Sequence, residues 1–289
     1  MVLHIQQLQK SFGSKKVLNN IDLHINEKEI VAFVGANGAG KTTLMKCVLG
    51  FIPFQGKIAV CDTPVSFGET ASNDFIGYLP DVPQFYPFYT AKQYLKLCQK
   101  VSGNVSNERV DEMLQLVGLA GRKEKISQYS RGMKQRLGIA QALLSKPKLL
   151  ICDEPTSALD PEGREQILTI LQEAKKETAI LFSTHILSEA ERISDRMIVL
   201  HDSEIKFDGP LQREISTDSY YIECTNPIES HIVDAFKLTV DGEGWIFHAA
   251  ELSSKNQLLK IIVEAGNSIE KFYPQTTSLE QFLKEVTGR

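Results

Sequence analysis

One stretch narrows the possible folds of this chain more than any other. Gly35-Ala36-Asn37-Gly38-Ala39-Gly40-Lys41-Thr42-Thr43 follows the apolar run Ile30 to Val34 and leads into the helix-favouring Leu44-Met45-Lys46-Cys47-Val48-Leu49. The local order is therefore strand, glycine loop, helix. Gly35, Gly40, Lys41 and Thr42 satisfy the spacing G-x-x-x-x-G-K-[ST], in which glycines let backbone N–H groups converge on phosphate oxygens at the positive N-terminus of the helix. In such a loop Lys41 reaches the β- and γ-phosphates and Thr42 ligates Mg²⁺. A merely flexible glycine turn would have no need of the flanking strand and helix, so the phosphate-binding reading is preferred.

A second signal lies far along the chain. Leu149-Leu150-Ile151-Cys152 is an apolar strand that runs straight into Asp153-Glu154-Pro155. Adjacent acids at the end of a buried strand suit a cation or a water to be activated: Asp153 can hold Mg²⁺ through its water shell, and Glu154 can act as general base. The alternative is a plain strand exit with solvated acids, which the phosphate loop makes the weaker reading. Ala179-Ile180-Leu181-Phe182 is another buried strand, ending in Ser183-Thr184-His185. A lone histidine is more often structural than catalytic, but the carboxyl ends of strands are where open α/β sheets gather ligand groups.

Around these signals the pattern predicts a hairpin of strands 2–8 and 17–25, with Phe12 at the tip of the Ser11–Lys16 turn. An aromatic there either stacks on a nucleotide base or is an ordinary strand-end residue, and residues alone leave both open. Short strands are expected near 56–60 and 74–79, helices over 91–102 and 107–117, and a longer helix from Arg131 to Leu144 before Lys146-Pro147. Helices grouped between strands suggest a helical lobe, about 88–146, set into an α/β core. A hairpin of strands 196–201 and 204–208 closes the core before Gly209-Pro210. Ser130 and Gly132 would stand at the N-terminus of the 131–144 helix, where a hydroxyl and free N–H groups make either a second anion site or a simple N-cap.

Charge divides the chain at the same point. Residues 211–289 carry 7 Lys+Arg against 12 Asp+Glu, while residues 1–210 carry 25 against 24. The acidic stretch is expected to fold separately, as strand 219–224, helix 227–236, strands 237–241 and 244–249, helix 253–265, a strand near 268–272 and a last helix over about 278–286. It shows no catalytic constellation, and an assembly role is expected of it. The net charge of −4 offers no basic surplus for a polyanion, so no nucleic-acid partner is expected. Five scattered cysteines without a C-x-x-C pair read as reduced core thiols. No apolar run approaches the roughly 18 residues of a membrane span and the N-terminus does not read as a signal peptide.

Taken together the motifs resemble the ATP-binding subunits of ABC transporters, from residue 2 to about 210, with every element in the family's order. Gly35 to Thr43 looks like the Walker A loop, Leu149 to Glu154 like Walker B, and Ser157-Ala158-Leu159-Asp160 like the D-loop. Tyr129-Ser130-Arg131-Gly132-Met133 looks like a variant of the LSGGQ signature, His185 like the switch histidine and Phe12 like the adenine-stacking aromatic. The resemblance implies a P-loop NTPase core (1–210) with an inserted helical lobe and a small C-terminal α+β module (211–289). It implies ATP and Mg²⁺ as cofactors, with nucleotide held by Phe12, Gly35, Asn37, Gly38, Ala39, Gly40, Lys41, Thr42 and Thr43, and by Ser130 and Gly132 of a second subunit. Metal would fall to Thr42 and Asp153; catalysis to Glu154, His185 and Lys41.

Where the family has a γ-phosphate-sensing glutamine, this chain has Asp81, which could ligate Mg²⁺ or water, with Gln84 as a possible substitute. The implied assembly is a head-to-tail homodimer, or a pair with a paralogous ATPase subunit, on a separate integral membrane permease at the cytoplasmic face of the membrane. The Tyr-Ser-Arg-Gly-Met signature and Ser278-Leu279-Glu280-Gln281-Phe282-Leu283 resemble the subgroup that drives exporters. Competing readings are a soluble, non-transport ABC ATPase and a P-loop kinase of small molecules. The first is disfavoured by the single ATPase unit, and the second leaves Ser130-Arg131-Gly132 and Asp153-Glu154 unexplained.

Overall fold

The structure, a computed structural model, describes residues 1–103, 105–210, 219–248 and 252–274. Its contacts divide the chain into two compact units, Met1–Leu211 and Gln212–Arg289.

At the centre of the first unit lies β3 (Ile30–Val34), every residue of which is buried. It pairs in parallel with β8 (Ala179–Thr184) on one side and β9 (Arg196–His201) on the other. Beyond β8 follow β7 (Leu149–Cys152) and β6 (Ile76–Leu79), also parallel, and β10 (Glu204–Pro210) runs antiparallel along the β9 edge. The order is β10-β9-β3-β8-β7-β6. Continuous apolar runs such as Ile30-Val31-Ala32-Phe33-Val34 suit strands covered on both faces. Because β3, β6, β7 and β8 share one direction, the residues that follow them all leave the sheet at the same edge.

A second, antiparallel sheet in the order β2-β1-β4-β5 joins β1 (Leu3–Phe12), β2 (Lys15–Ile25), β4 (Gln55–Val60) and β5 (Thr63–Pro64). β1 and β2 are longer than the sequence pattern suggests, because Phe12 still pairs with Lys15 across the two-residue turn Gly13-Ser14. Phe12 is thus the last residue of β1, half exposed beside the turn, with Lys10 Nζ 4.8 Å above its ring.

Between β6 and β7 come α2 (Ala91–Ser102), α3 (Asn107–Leu116) and α4 (Arg131–Leu143), each opened by a hydroxyl cap at Thr90, Ser106 or Ser130. Helix α4 lies directly on β6. A Cβ at Gly77 would sit 2.3 Å from Ala142 O and one at Gly138 2.5 Å from Leu79 Cδ1, so only glycines permit this approach. α1 (Lys41–Val48) follows the glycine loop. Two further helices lie outside the elements expected from periodicity: α5 (Pro161–Ala174), started by an Asp160 cap and Pro161, and α6 (Leu187–Ile193).

The second unit is an antiparallel sheet, β12-β13-β11-β14, built from β11 (Ser219–Cys224), β12 (Thr239–Asp241), β13 (Gly244–His248) and β14 (Ile269–Pro274). With α7 (Ser230–Phe236) and α8 (Leu252–Glu264) it encloses a core of Ile222, Ile228, Ile232, Leu238, Phe247, Leu258 and Ile262. Helix α7 starts three residues later than the pattern suggests, and Lys237 ends it at a positive φ of 51°. The helix expected over 278–286 lies outside the described residues.

Candidate active site

The loop between β3 and α1 turns through Gly38 and Gly40, at φ 80° and 115°, and reaches the helix with no side chain capping its first turn. The opening N–H groups of α1 are thus left for an anion. Lys41 begins that helix and is buried, yet its ammonium bends back over the loop to donate to Gly35 O at 2.6 Å and Ala36 O at 3.3 Å. A buried cation folded over the glycine loop, beside the uncapped N-terminus of α1, is an arrangement for phosphate.

The same ammonium meets Glu154 Oε1 at 3.2 Å, across from the exit of β7. Glu154 Oε2 accepts from His185 Nδ1 at 2.7 Å, so one carboxylate is held between the phosphate loop and the exit of β8. Glu154 sits at φ 48°, a left-handed conformation that a non-glycine residue keeps only when its surroundings enforce it. Here the enforcement is Ser183. Its fully buried hydroxyl accepts from Glu154 N at 2.8 Å and donates to Asp153 Oδ1 at 2.9 Å, fixing both acids with one group. Asp153 keeps its second oxygen outside that bond. Burial, aided by the neighbouring Asp153 charge, pushes the Tyr78 hydroxyl up to about 12. Burial likewise pushes the Cys47 thiol to about 11, which agrees with core thiols that stay protonated.

The structure therefore brings Lys41, Asp153, Glu154 and His185 into one network, with Thr42 exposed on the first turn of α1. Phe12, Ser130, Gly132 and Asp81 do not join it within the described residues. Ser130 Oγ accepts from Met133 N at 3.2 Å and so caps its own helix. Asp81, beyond the end of β6, faces Arg131 Nη2 at 3.6 Å.

Two groups to which the sequence reading gave no role complete the surroundings. Gln135 Nε2 donates to both Asp81 O and Pro155 O at 3.1 Å. Buried Glu189 on α6 accepts from Thr156 Oγ1 at 2.8 Å and Thr184 Oγ1 at 2.7 Å, tying the segment after Glu154 to the one before His185. Gln135 lies in the expected 131–144 helix, but its partners are 54 and 20 residues away; Glu189 lies on a helix that periodicity did not give, and its partner Thr156 is 33 residues away.

Residues 18–157 match the family described as "ABC transporter". The uncharacterized ABC transporter ATP-binding protein YxlF of Bacillus subtilis is 37% identical over 99% of both chains. The bacitracin transport ATP-binding protein BcrA of Bacillus licheniformis is 33% identical, covering 99% of this chain and 97% of its own. Among solved structures, an ATP binding subunit of an ABC transporter superimposes with a TM-score of 0.67 at 31% identity, over 74% of this chain and 91% of that one. A dimeric post-hydrolysis ATP-binding cassette bound to ADP and Pi does so at 0.65 and 25% identity, over 72% and 98%.

Proposed function

The chain belongs to the ABC transporter family as a stand-alone ATP-binding subunit that hydrolyses ATP, and from that premise we propose that it drives a separate membrane-spanning permease in the direction of export. The observation that carries the chemistry is the single carboxylate of Glu154 held between Lys41 and His185 at the mouth of a phosphate loop. Lys41 and the opening amides of α1 take the β- and γ-phosphates. The phosphates give Lys41 a second anionic partner, which loosens its hold on Glu154 Oε1 and frees that oxygen to orient and deprotonate the attacking water. His185, anchored through Nδ1, keeps the carboxylate in place and leaves Nε2 for the γ-phosphate.

The donor set fits Mg²⁺: the exposed Thr42 hydroxyl and the second oxygen of Asp153 are hard oxygen ligands beside the phosphate loop. When bound, the ion neutralises charge on the phosphates. Asp81, facing Arg131, is left out of this set.

Two such cassettes in a head-to-tail dimer, or one with a paralogous subunit, would place Ser130 and Gly132 of one chain at the phosphates of the other; the relative solved with ADP and Pi is dimeric. Export is supported by the resemblance of the signature to the exporter subgroup and by relatives named for bacitracin transport. No helix among the described residues is long and apolar enough to cross a membrane; in the proposed assembly the span belongs to a separate permease. The test is purification of the tagged protein from membranes: a polytopic chain co-purifying, with ATP turnover altered by its presence, is expected. Purification of an active ATPase with no membrane partner under any nucleotide condition would favour the soluble alternative.

A further inference from the structure

We propose that Gln135 is a positioning residue for Glu154, through which the first turns of α4 govern the placement of the base. The inference rests on the reading of Glu154 as general base. Gln135 is 1% exposed, and its one amino group donates to the carbonyls of Asp81 and Pro155, both at 3.1 Å. Those carbonyls belong to the exits of β6 and β7, so a single side chain on α4 holds two neighbouring strand ends. Two acceptors on one side require the amino end of the amide there, which settles its orientation; Oε1 is left buried with no partner.

Arg131 stands one turn earlier on the same face of α4 and approaches Asp81 Oδ1 at 3.6 Å. That pair is 47% and 46% exposed and contributes little by itself, so the amide is the stronger link. Gly77 and Gly138 bring α4 against β6 so closely that the helix cannot slide along the strand to absorb a displacement. Pro155 directly follows Glu154, whose φ of 48° has to be held from outside. Ser183 holds the Glu154 N–H; Gln135 holds the next carbonyl. A shift at the start of α4, where Ser130 and Gly132 lie, is therefore passed through Pro155 O to the carboxylate.

The test compares Gln135→Met, which keeps the shape and removes both donors, in the full-length chain with ATP. With Glu154 present, kcat is expected to fall about tenfold while the ATP dissociation constant stays unchanged, since misplacing a catalytic group by a fraction of an ångström is costly. In the Glu154→Gln background the same substitution is expected to cause no further loss, because the group it positions is gone. If Gln135→Met fails to fold, Gln135→Glu, which presents a carboxylate to the two carbonyls, is expected to give the same split. An unchanged kcat overturns the proposal. So does a loss of equal size in both backgrounds, or a matching loss of ATP affinity, either of which marks a structural role only. Wild-type turnover in the Glu154→Gln single variant removes the base reading itself, and is seen before Gln135 is touched.

Discussion

Two of the three sheets among the described residues, the central one of the first unit and that of the second, end their strands differently. In the first unit β3, β7 and β8 run parallel and release Gly35, Asp153 and His185 at one edge, where no hairpin partner claims their polar groups. In the second unit β12, β13, β11 and β14 are antiparallel, so the connections leave at both ends. Its buried acid, Glu223 near the end of β11, is paired, accepting from Tyr221 at 3.0 Å and Lys271 at 2.9 Å. Parallel order gathers polar groups from several strand ends at one open edge, beside the phosphate loop; in the antiparallel sheet Glu223 pairs with side chains of its own and the adjacent strand. Carboxylate chemistry follows from topology as much as from residue type.

The largest effect that bears on this contrast comes from changing one carboxylate in each unit. Glu154→Gln removes the proposed base and keeps its shape, so ATP turnover should fall by about 10²–10⁴ with nucleotide still bound. Glu223→Gln should leave turnover at the wild-type level. Steady-state hydrolysis with a binding titration reads both; an active Glu154→Gln variant would place the base elsewhere. Next in size is Lys41→Ala, which deletes the buried cation over the loop. A hydrogen bond to a charged group contributes about 1.5–3 kcal/mol, so ATP affinity should weaken roughly 10- to 150-fold. Unchanged affinity by calorimetry would contradict the phosphate-loop assignment. Smaller still is Ser183→Ala. It strips the hydroxyl that joins Glu154 N to Asp153, and should lower kcat by about tenfold without altering ATP affinity. A fall in affinity instead would mean that Ser183 serves Asp153, the proposed metal ligand, more than Glu154.

What could be read from sequence follows the same division. The glycine loop, the Asp153-Glu154 pair and the strand carrying His185 were legible because each is a local pattern whose meaning depends only on strand and helix periodicity. α5 was legible in principle, with Asp160-Pro161 as a start signal and apolar Ile167, Leu168, Ile170 and Leu171 on one face. The Ser183 hydroxyl and the Gln135 amide were not, because each acts on backbone groups that only the packed sheet and α4 bring near. The Asp81–Arg131 pair is the clearest case. Each residue reads alone as a departure from the family pattern, and only the fold shows that the two departures face each other. Phe12 was misplaced for a similar reason: ladder pairing with Lys15 extended β1 beyond its apolar alternation.

The smallest expected effect belongs to the second unit and sharpens the comparison from its quieter side. The hydrogen bond from Lys271, followed by that from Tyr221, holds the Glu223 carboxyl below its ordinary value of 4.5. A carboxyl with a lowered folded pKa stabilises the native state above its unfolded pKa and loses that contribution as pH falls through the folded value. The affected window therefore begins near pH 4.5 and extends downward. Trp245, the single tryptophan of the chain, lies on β13 of this unit, so its fluorescence reports the unfolding of the second unit selectively. At neutral pH the denaturation midpoint of Glu223→Gln should lie slightly below that of the wild type, and acidification should close the gap, because both chains then carry an uncharged group at that position. ATP turnover at neutral pH should be the same in the two proteins. A gap that stays constant from pH 7 to below pH 4 would show that the Lys271 and Tyr221 bonds do not favour the charged form. The contrast between a working carboxylate at Glu154 and a merely paired one at Glu223 would then have to rest on turnover alone.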